Sequence, residues 1–361
     1  MSRDSAFMRR ALELAQRGWG QTAPNPMVGA VVVRDGKIVG EGYHARFGED
    51  HAEVSALRNA GERARGAAVY VTLEPCTHTG KTPPCTDALI ASGVARVICA
   101  VRDPNPVAAG GLARLAARGI AVTDGIEEEA ARELNASFFH ALRSERPWVT
   151  LKLAMSLDGA IADAQGNSRW ITGEASRREV HHLRAGQDAI AVGIGTAIAD
   201  DPSLTVRDAP APRVAPRRIV FDRHARLPQT SALARTARST PTIVIVQSAD
   251  TIRTAELESA GVIVMHAASL RKALLELRKI QVRSILVEGG ARLAGAFLDA
   301  TLVDRLVIFQ APVILGAGAI GAFAQTSSVG LAAAARFGIL EQRTVGDDSM
   351  TVYAPRPASV H

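Results

Sequence analysis

His51-Ala52-Glu53, then Pro75-Cys76, then eight residues from Thr77 to Pro84, then Cys85, is the stretch on which the reading of this chain turns. One imidazole and two thiolates can fill three corners of a zinc tetrahedron and leave the fourth open to water, as in a hydrolytic site. A structural zinc knot ordinarily closes its shell with four protein ligands, whereas this cluster offers three with a glutamate beside them. Glu53, two residues from the imidazole, is placed to carry protons between that water and a leaving amine without binding the metal. The expectation is one zinc per chain on His51, Cys76 and Cys85, with Glu53 as catalytic acid and base; a structural knot or unrelated buried thiols are the alternatives.

At 361 residues the chain exceeds what one hydrophobic core normally serves, and 47% apolar residues can supply two. Three cysteines do not make a disulfide framework. With Cys76 and Cys85 assigned to the metal, Cys99 lies in the apolar run Val97-Ile98-Cys99-Ala100-Val101, where an inert buried thiol is expected. No apolar run is long enough to span a bilayer, and Arg3, Asp4, Arg9 and Arg10 introduce no hydrophobic signal segment, so a cytoplasmic protein without a membrane partner is expected. A net charge of +6 suits acidic ligands, but the basic residues are scattered and only 4% of residues are aromatic, which argues against a nucleic-acid surface. Phosphorylated small molecules fit better.

Hydrophobic periodicity divides the chain into two alternations of helix and strand, residues 1–145 and 146–361, with a charged, proline-ended linker at 144–147. In the first, a helix over 6–17 precedes a hairpin of 28–33 and 37–42 about Asp35-Gly36. A helix opens at His51, a strand covers 69–73, a helix starts at Cys85, a strand covers 96–101, and one helix over 126–143 closes the unit. Ligands at helix N-termini would sit in a field that favours both thiolates. In the second, strands are expected over 148–155, 189–192, 218–221, 243–246 and 284–287, the first interrupted by Lys152, with helices over 174–185, 270–280 and 291–298. Val287-Glu288-Gly289-Gly290 leads from strand to helix, as does Val192-Gly193-Ile194-Gly195-Thr196. Glycines there let backbone approach phosphate at a helix N-terminus, although such a turn also has a purely structural explanation and the spacing is not GxGxxG. Two such turns could line one cofactor groove.

These residues carry a family resemblance over nearly the whole chain. Ala23-Pro24-Asn25-Pro26-Met27-Val28-Gly29, Gly42-Tyr43-His44, His51-Ala52-Glu53-Val54 and the run from Leu73 to Cys85 are similar to the deaminase half of the RibD family of bifunctional riboflavin biosynthesis proteins. Lys152 to Gly159, Ser168-Arg169-Trp170-Ile171-Thr172, Ala199-Asp200-Asp201-Pro202 and Val287 to Gly290 resemble its reductase half. Generic deaminases have two residues between their cysteines, and the insert here with His78 and Lys81 resembles the riboflavin branch. The resemblance implies an α/β chain: a cytidine deaminase-like three-layer α/β/α domain, then a dihydrofolate reductase-like α/β domain.

It also implies two successive reactions. A diaminopyrimidinone carrying a ribosylamine 5-phosphate is hydrolysed with loss of ammonia, and NADPH then reduces the ribosyl group to ribityl. On the deaminase side the resemblance sets Asn25, His44, His78 and Lys81 against substrate. On the reductase side it sets NADPH against Ala154, Trp170, Thr196, Asp200, Arg223 and the turn Gly290, Ala291, Arg292, Leu293, Ala294, Gly295 and Ala296. Substrate falls against Ser168, Arg184, Leu204, Arg207 and Glu288, with Arg184 and Arg207 as phosphate clamps. Lys152 and Asp200 are the candidates for orienting the sugar and supplying a proton, and Arg223 for meeting the 2′-phosphate of NADPH. Each has a plainer reading: Asn25 between prolines as a turn residue, Lys81 as solvated, Trp170 as core, Asp200 as a turn cap, Lys152 snorkelling from a strand end. After Asp103-Pro104-Asn105-Pro106 the loop Val107 to Leu112 is one residue shorter than the family pattern and uncharged.

Two other classes fit less well. An RNA-editing deaminase would call for a basic aromatic surface; a deaminase with a structural or oligomerising C-terminal half would bind no NADPH. A homo-oligomer, dimer or tetramer, is expected.

Overall fold

The computed structural model of the chain describes residues 2–327 and 330–356. It divides into two compact units, residues 1–143 and 144–361. The first runs α1 (Arg3–Gln16), β1 (Gly29–Arg34), β2 (Lys37–Tyr43), α2 (Ala52–Ala60), β3 (Ala68–Val71), α3 (Cys85–Ala91), β4 (Arg96–Cys99), α4 (Gly111–Ala116), β5 (Ala121–Asp124), α5 (Glu128–Leu134) and α6 (Ala136–Ala141). Its five-stranded sheet has the order β2-β1-β3-β4-β5. β1 lies antiparallel to β2 and β3, and β3, β4 and β5 run parallel.

Alternation along β1 builds two cores, one on each face. Ala30 and Val32 join Ala56, Leu89 and Leu115 under α2, α3 and α4, while Val31 and Val33 join Met8, Ala11, Ala131 and Phe139 under α1, α5 and α6. This is the expected three-layer arrangement. The layer carrying His51 sits close because Gly40 and Gly42 face it: a Cβ at Gly42 would run into the backbone of Ala52 and Ala56.

Four details differ from the sequence pattern, the first being that the strand expected over 96–101 ends at Cys99. The strand expected over 69–73 stops at Val71, since Thr72 has left the ladder: its N–H donates to Gly29 O (3.1 Å) and its hydroxyl accepts from Gly29 N (3.1 Å). The single helix expected over 126–143 is two, because the Asn135 side chain turns to Met27, accepting from its N–H (2.8 Å) and donating to its carbonyl (2.9 Å). Of the two cysteines, only Cys85 opens a helix; Cys76 lies in the loop after β3, where the Cys85 N–H reaches its sulfur at 3.4 Å.

The second unit runs β6 (Trp148–Met155), β7 (Ala160–Ala162), α7 (Glu174–Ala185), β8 (Ala189–Gly193), α8 (Ile194–Asp200), β9 (Arg217–Phe221), α9 (Ala232–Arg235), β10 (Thr242–Val246), α10 (Thr251–Ser259), β11 (Ile263–His266), α11 (Leu270–Lys279), β12 (Ser284–Glu288), α12 (Ala291–Asp299), β13 (Arg305–Gln310), β14 (Ile320–Gly321), β15 (Phe337–Val345) and β16 (Asp348–Pro355). Nine strands form one sheet in the order β11-β10-β9-β8-β12-β6-β13-β16-β15, parallel except for β15 and β16. β12 returns to lie between β8 and β6, so connections leave the neighbouring strand ends in opposite directions there. Such a point opens a crevice at the carboxyl ends of the strands. Lys152 does not interrupt β6: it lies mid-strand, in register with Glu288 of β12 on one side and Val307 of β13 on the other.

Candidate active sites

In the first unit, His51 caps α2, Glu53 occupies its first turn, and Cys85 opens α3, so two helix starts converge on the loop bearing Cys76. His51 Nδ1 lies 3.1 Å from Cys85 Sγ and 3.7 Å from Cys76 Sγ. The edges of a zinc tetrahedron with two sulfurs and one nitrogen are about 3.6–3.8 Å; the Cys76 distance matches, the Cys85 distance is shorter, and one imidazole with two thiolates is a donor set that suits zinc. All three ligand atoms lie within 4.8 Å of one another. Cys76 is drawn toward thiolate by the hydrogen bond from Cys85 and then by His51, while Cys85, as the donor of that bond, is pushed the other way. Burial raises the Glu53 carboxyl above its usual range, opposed by the His51 charge. A carboxyl so raised holds a proton more readily than an exposed glutamate, as an acid and base requires.

His51, Glu53 and Cys76 open onto a cavity of about 290 Å³ also lined by Asn25, His44, His78 and Lys81. The His44 ring is fixed by its partners: Nδ1–H donates to Asp50 O (3.1 Å), which leaves Nε2 to accept from Asn25 Nδ2 (3.4 Å). Burial holds His44 below its normal pKa. The Lys81 ammonium sits 4.4 Å from the centre of the Phe47 ring. Phe47 and Phe138 line the cavity too and carry no sequence signal; Asp103 and Asn105, of the motif that precedes the short loop, line it as well, with no contact assigned to them from the sequence. The short loop after Pro106 is anchored: Glu74 accepts from the N–H groups of Asp103 (3.1 Å) and Leu112 (3.0 Å), and Ala108 packs on the two cysteines. Cys99 is fully buried, its thiol raised by burial.

In the second unit, the carboxyl end of β12 brings Glu288 beside Lys152 and against Arg184 of α7. Arg184 grips Glu288 through Nε (2.5 Å) and Nη2 (2.9 Å) and donates from Nη1 to Thr205 O (2.9 Å). Its fork, expected on phosphate, is therefore engaged within the chain. Burial alone would raise the Glu288 carboxyl, but Arg184 and then Lys152 bring it below its usual range. Burial lowers the Lys152 ammonium, opposed by Glu288. The two glycine turns do adjoin: a Cβ on Gly290 would lie 3.4 Å from Thr196 Oγ1, and Leu293 faces both Gly193 and Gly289.

Of the remaining turn residues, Ala291, Ala294 and Gly295 are buried, Arg292 is exposed, and Ala296 is half-buried. Ala154 pairs with Phe309 on the face of β6 that also carries Lys152. Asp200, at the end of α8, faces the Arg169 guanidinium (3.8 Å), and Arg223 stands exposed past the end of β9. Trp170 is not core: it is 68% exposed, with the Arg177 guanidinium 4.7 Å from its ring. Ser168 lies two residues before it in the same loop. Leu204 is buried at a positive φ of 48°, and the backbone N–H of Arg207 donates to His181 Nδ1 (3.1 Å). His181 carried no sequence signal of its own.

Two family models match. One, described as the cytidine and deoxycytidylate deaminase zinc-binding region, covers residues 1–101; the other, the RibD C-terminal domain, covers residues 147–349. Riboflavin biosynthesis protein RibD of Aquifex aeolicus is 46% identical over 318 residues, spanning 87% of this chain and 88% of that protein. The structure of Acinetobacter baumannii RibD superposes with a TM-score of 0.84 at 40% identity, covering 98% of this chain and 99% of that one. A Thermotoga maritima structure, described as a diaminohydroxyphosphoribosylaminopyrimidine deaminase/5-amino-6-(5-phosphoribosylamino)uracil reductase, matches with a TM-score of 0.84 at 35% identity, over 98% of this chain and 99% of its own.

Proposed function

This chain belongs to the RibD family of riboflavin biosynthesis proteins, zinc-dependent deaminase and NADPH-dependent reductase in one polypeptide, and from that premise we propose how its residues divide the two reactions. The substrate is a diaminopyrimidinone bearing a ribosylamine 5-phosphate. His51, Cys76 and Cys85 would hold zinc, whose Lewis acidity would make water nucleophilic near neutral pH. Glu53 takes a proton from that water and returns it to the amino group, so that a C–O bond forms, the C–N bond breaks and ammonia leaves. Asn25, its amide oriented by His44, reads the pyrimidine edge, while His78 and Lys81 meet the ribosyl phosphate.

In the reductase bound NADPH would supply the hydride for C1 of the ribosyl group in its open imine form, and the nitrogen then needs a proton from this chain. Lys152, whose ammonium gives up a proton more readily than an exposed lysine, and Asp200 orient the sugar and supply that proton. Arg207 and Ser168 hold the phosphate end, with Leu204 against the substrate. Arg184 contributes charge there while its fork holds Glu288. Ala154, Trp170, Thr196, Asp200, Arg223 and the turn 290–296 take the cofactor, Arg223 meeting its 2′-phosphate. We place the protein in the cytoplasm as a dimer or tetramer, a state that light scattering of the purified protein would read.

The observation that carries the reading is convergence: His51, Glu53 and Cys76 line one cavity with Asn25, His44, His78 and Lys81, and the buried Cys85 places its sulfur within 4.8 Å of the other two ligand atoms. Incubation with the diaminopyrimidinone substrate tests it. Ammonia should appear without NADPH, and NADPH absorbance should fall only after deamination. NADPH loss without prior ammonia release would reverse the order of steps.

A further inference from the structure

Residues 201–207 join α8 to the rest of the second unit without belonging to any strand, so their backbone groups need partners from elsewhere. Two come from one face of α7. Arg184 donates to Thr205 O at 2.9 Å, and His181, one turn earlier on that helix, accepts the Arg207 N–H at 3.1 Å. Residues three apart on a helix lie on the same face, so α7 grips two successive points of this segment. The segment carries Leu204, held at a positive φ, and Arg207, whose side chain is exposed.

The bond to Arg207 dictates the state of the imidazole. A backbone N–H only donates, so Nδ1 must be bare and the ring proton must sit on Nε2. The ring is 8% exposed. Around it stand Arg184 of its own helix, Glu288 at the end of β12, Arg207 of the segment and Asp208 just after it. Burial first, then Arg184 and Arg207, hold it below the ordinary histidine range against the opposing pull of Glu288 and Asp208, which keeps the acceptor available at neutral pH.

We propose that His181 is a positioning residue of the reductase: as a neutral Nδ1 acceptor it fixes the backbone at Arg207, and so aims that guanidinium at the substrate phosphate. Its role runs through the Arg207 backbone. This rests on the reading of Arg207 as the phosphate-binding group. The Arg184–Thr205 contact, two residues earlier, still holds the segment, so loss of His181 alone frees Arg207 without releasing the whole loop.

The test compares three replacements in the full-length protein. An asparagine oxygen can stand where Nδ1 stands, whereas a glutamine amide falls at the position of Nε2. His181→Phe should raise the KM for the deaminated ribosylaminouracil phosphate about tenfold, the scale of one lost buried hydrogen bond of about 1.4 kcal/mol, with kcat and NADPH affinity within about twofold. His181→Asn should return KM to within about threefold of the parent; His181→Gln should not. Ammonia release by the first unit reports that each variant is folded there, and NADPH binding reports the second. Arg207→Ala run in parallel separates the two readings. If Arg207→Ala raises KM and His181→Phe leaves it unchanged, the positioning role is wrong and the phosphate site stands. If Arg207→Ala leaves KM unchanged, the phosphate site itself fails and takes the positioning role with it. Should His181→Phe not fold, the Asn and Gln pair decides: equal KM values would overturn the proposal.

Discussion

The Arg184 guanidinium closes on the Glu288 carboxylate with two hydrogen bonds, 2.5 and 2.9 Å long, both side chains nearly buried at the end of β12. Lys152 stands beside them in register, so one acid serves two cations. The site is thereby asymmetric. Removing Arg184 leaves a Lys152–Glu288 pair, whereas removing Glu288 leaves two buried positive charges facing one another.

Glu288→Leu should therefore cost about 3–5 kcal/mol, the scale of a broken buried ion pair, and Arg184→Met clearly less, about 1–3 kcal/mol. Equilibrium urea unfolding, followed by a probe in the second unit, measures both. Because the folded Glu288 carboxyl lies below its usual range, its contribution is present above the unfolded pKa and fades as pH falls through the depressed one. Equal losses from the two variants would mean that Lys152 takes no part in the pairing.

Cys85→Ser should abolish stable zinc binding, because only His51, Cys76 and Cys85 form a complete ligand set among the described residues. Metal analysis of the purified variant should fall from about one zinc per chain toward zero. Full occupancy after the change would remove Cys85 from the site.

Glu53→Gln should leave the metal in place and lower ammonia release by at least about a hundredfold, since an amide keeps the shape but carries no proton. Reduction of supplied deaminated intermediate should continue at the parent rate. Retention of most deaminase activity would take the proton-carrying role away from Glu53.

What could be read from the sequence follows the range of the forces involved. The metal cluster was legible because its residues are chemically distinctive, and the strand pairs because alternation along Gly29–Arg34 reports both faces of a sheet. The two glycine turns were legible as turns that could line one groove, and the packing of Leu293 against Gly193 and Gly289 is what brings them together. Other features depend on partners far along the chain. Nothing near Asn135 announces that its amide will bond Met27, so helical periodicity ran through it. Lys152 read as a strand interruption because its compensating charges, Glu288 and Arg184, are supplied by β12 and α7. Phe47 and His181 enter their sites through tertiary packing alone.

Asn135 offers a test of that long-range bond. Asn135→Ala leaves the Met27 N–H and carbonyl without their partner in a buried setting, at a cost of about 2 kcal/mol. Met27 follows the Asn25-Pro26 turn at the deaminase cavity, so KM for the diaminopyrimidinone should rise with little change in zinc content. A stability loss with KM unchanged would show that the turn holds its position without Asn135.

The last expectation concerns acid. Asp158, in the turn after β6, accepts from the Ser156 hydroxyl (2.5 Å), Gly316 N (2.9 Å) and Leu315 N (3.2 Å), which ties that turn to the loop after β13. The Ser156 bond first, then the two backbone donors, draw its carboxyl down to about 2. A group whose folded pKa is depressed contributes stability above its unfolded pKa, about 3.9 for aspartate, and loses that contribution as pH falls through the folded value. Asp158→Asn should thus lower the urea midpoint of the second unit at pH 7, because the amide accepts fewer and weaker hydrogen bonds at those positions. The gap between parent and variant should stay constant down to about pH 4 and close between there and about pH 2. A gap that persisted unchanged to the acid limit would mean that shape at residue 158, and not its charge, holds the two loops together.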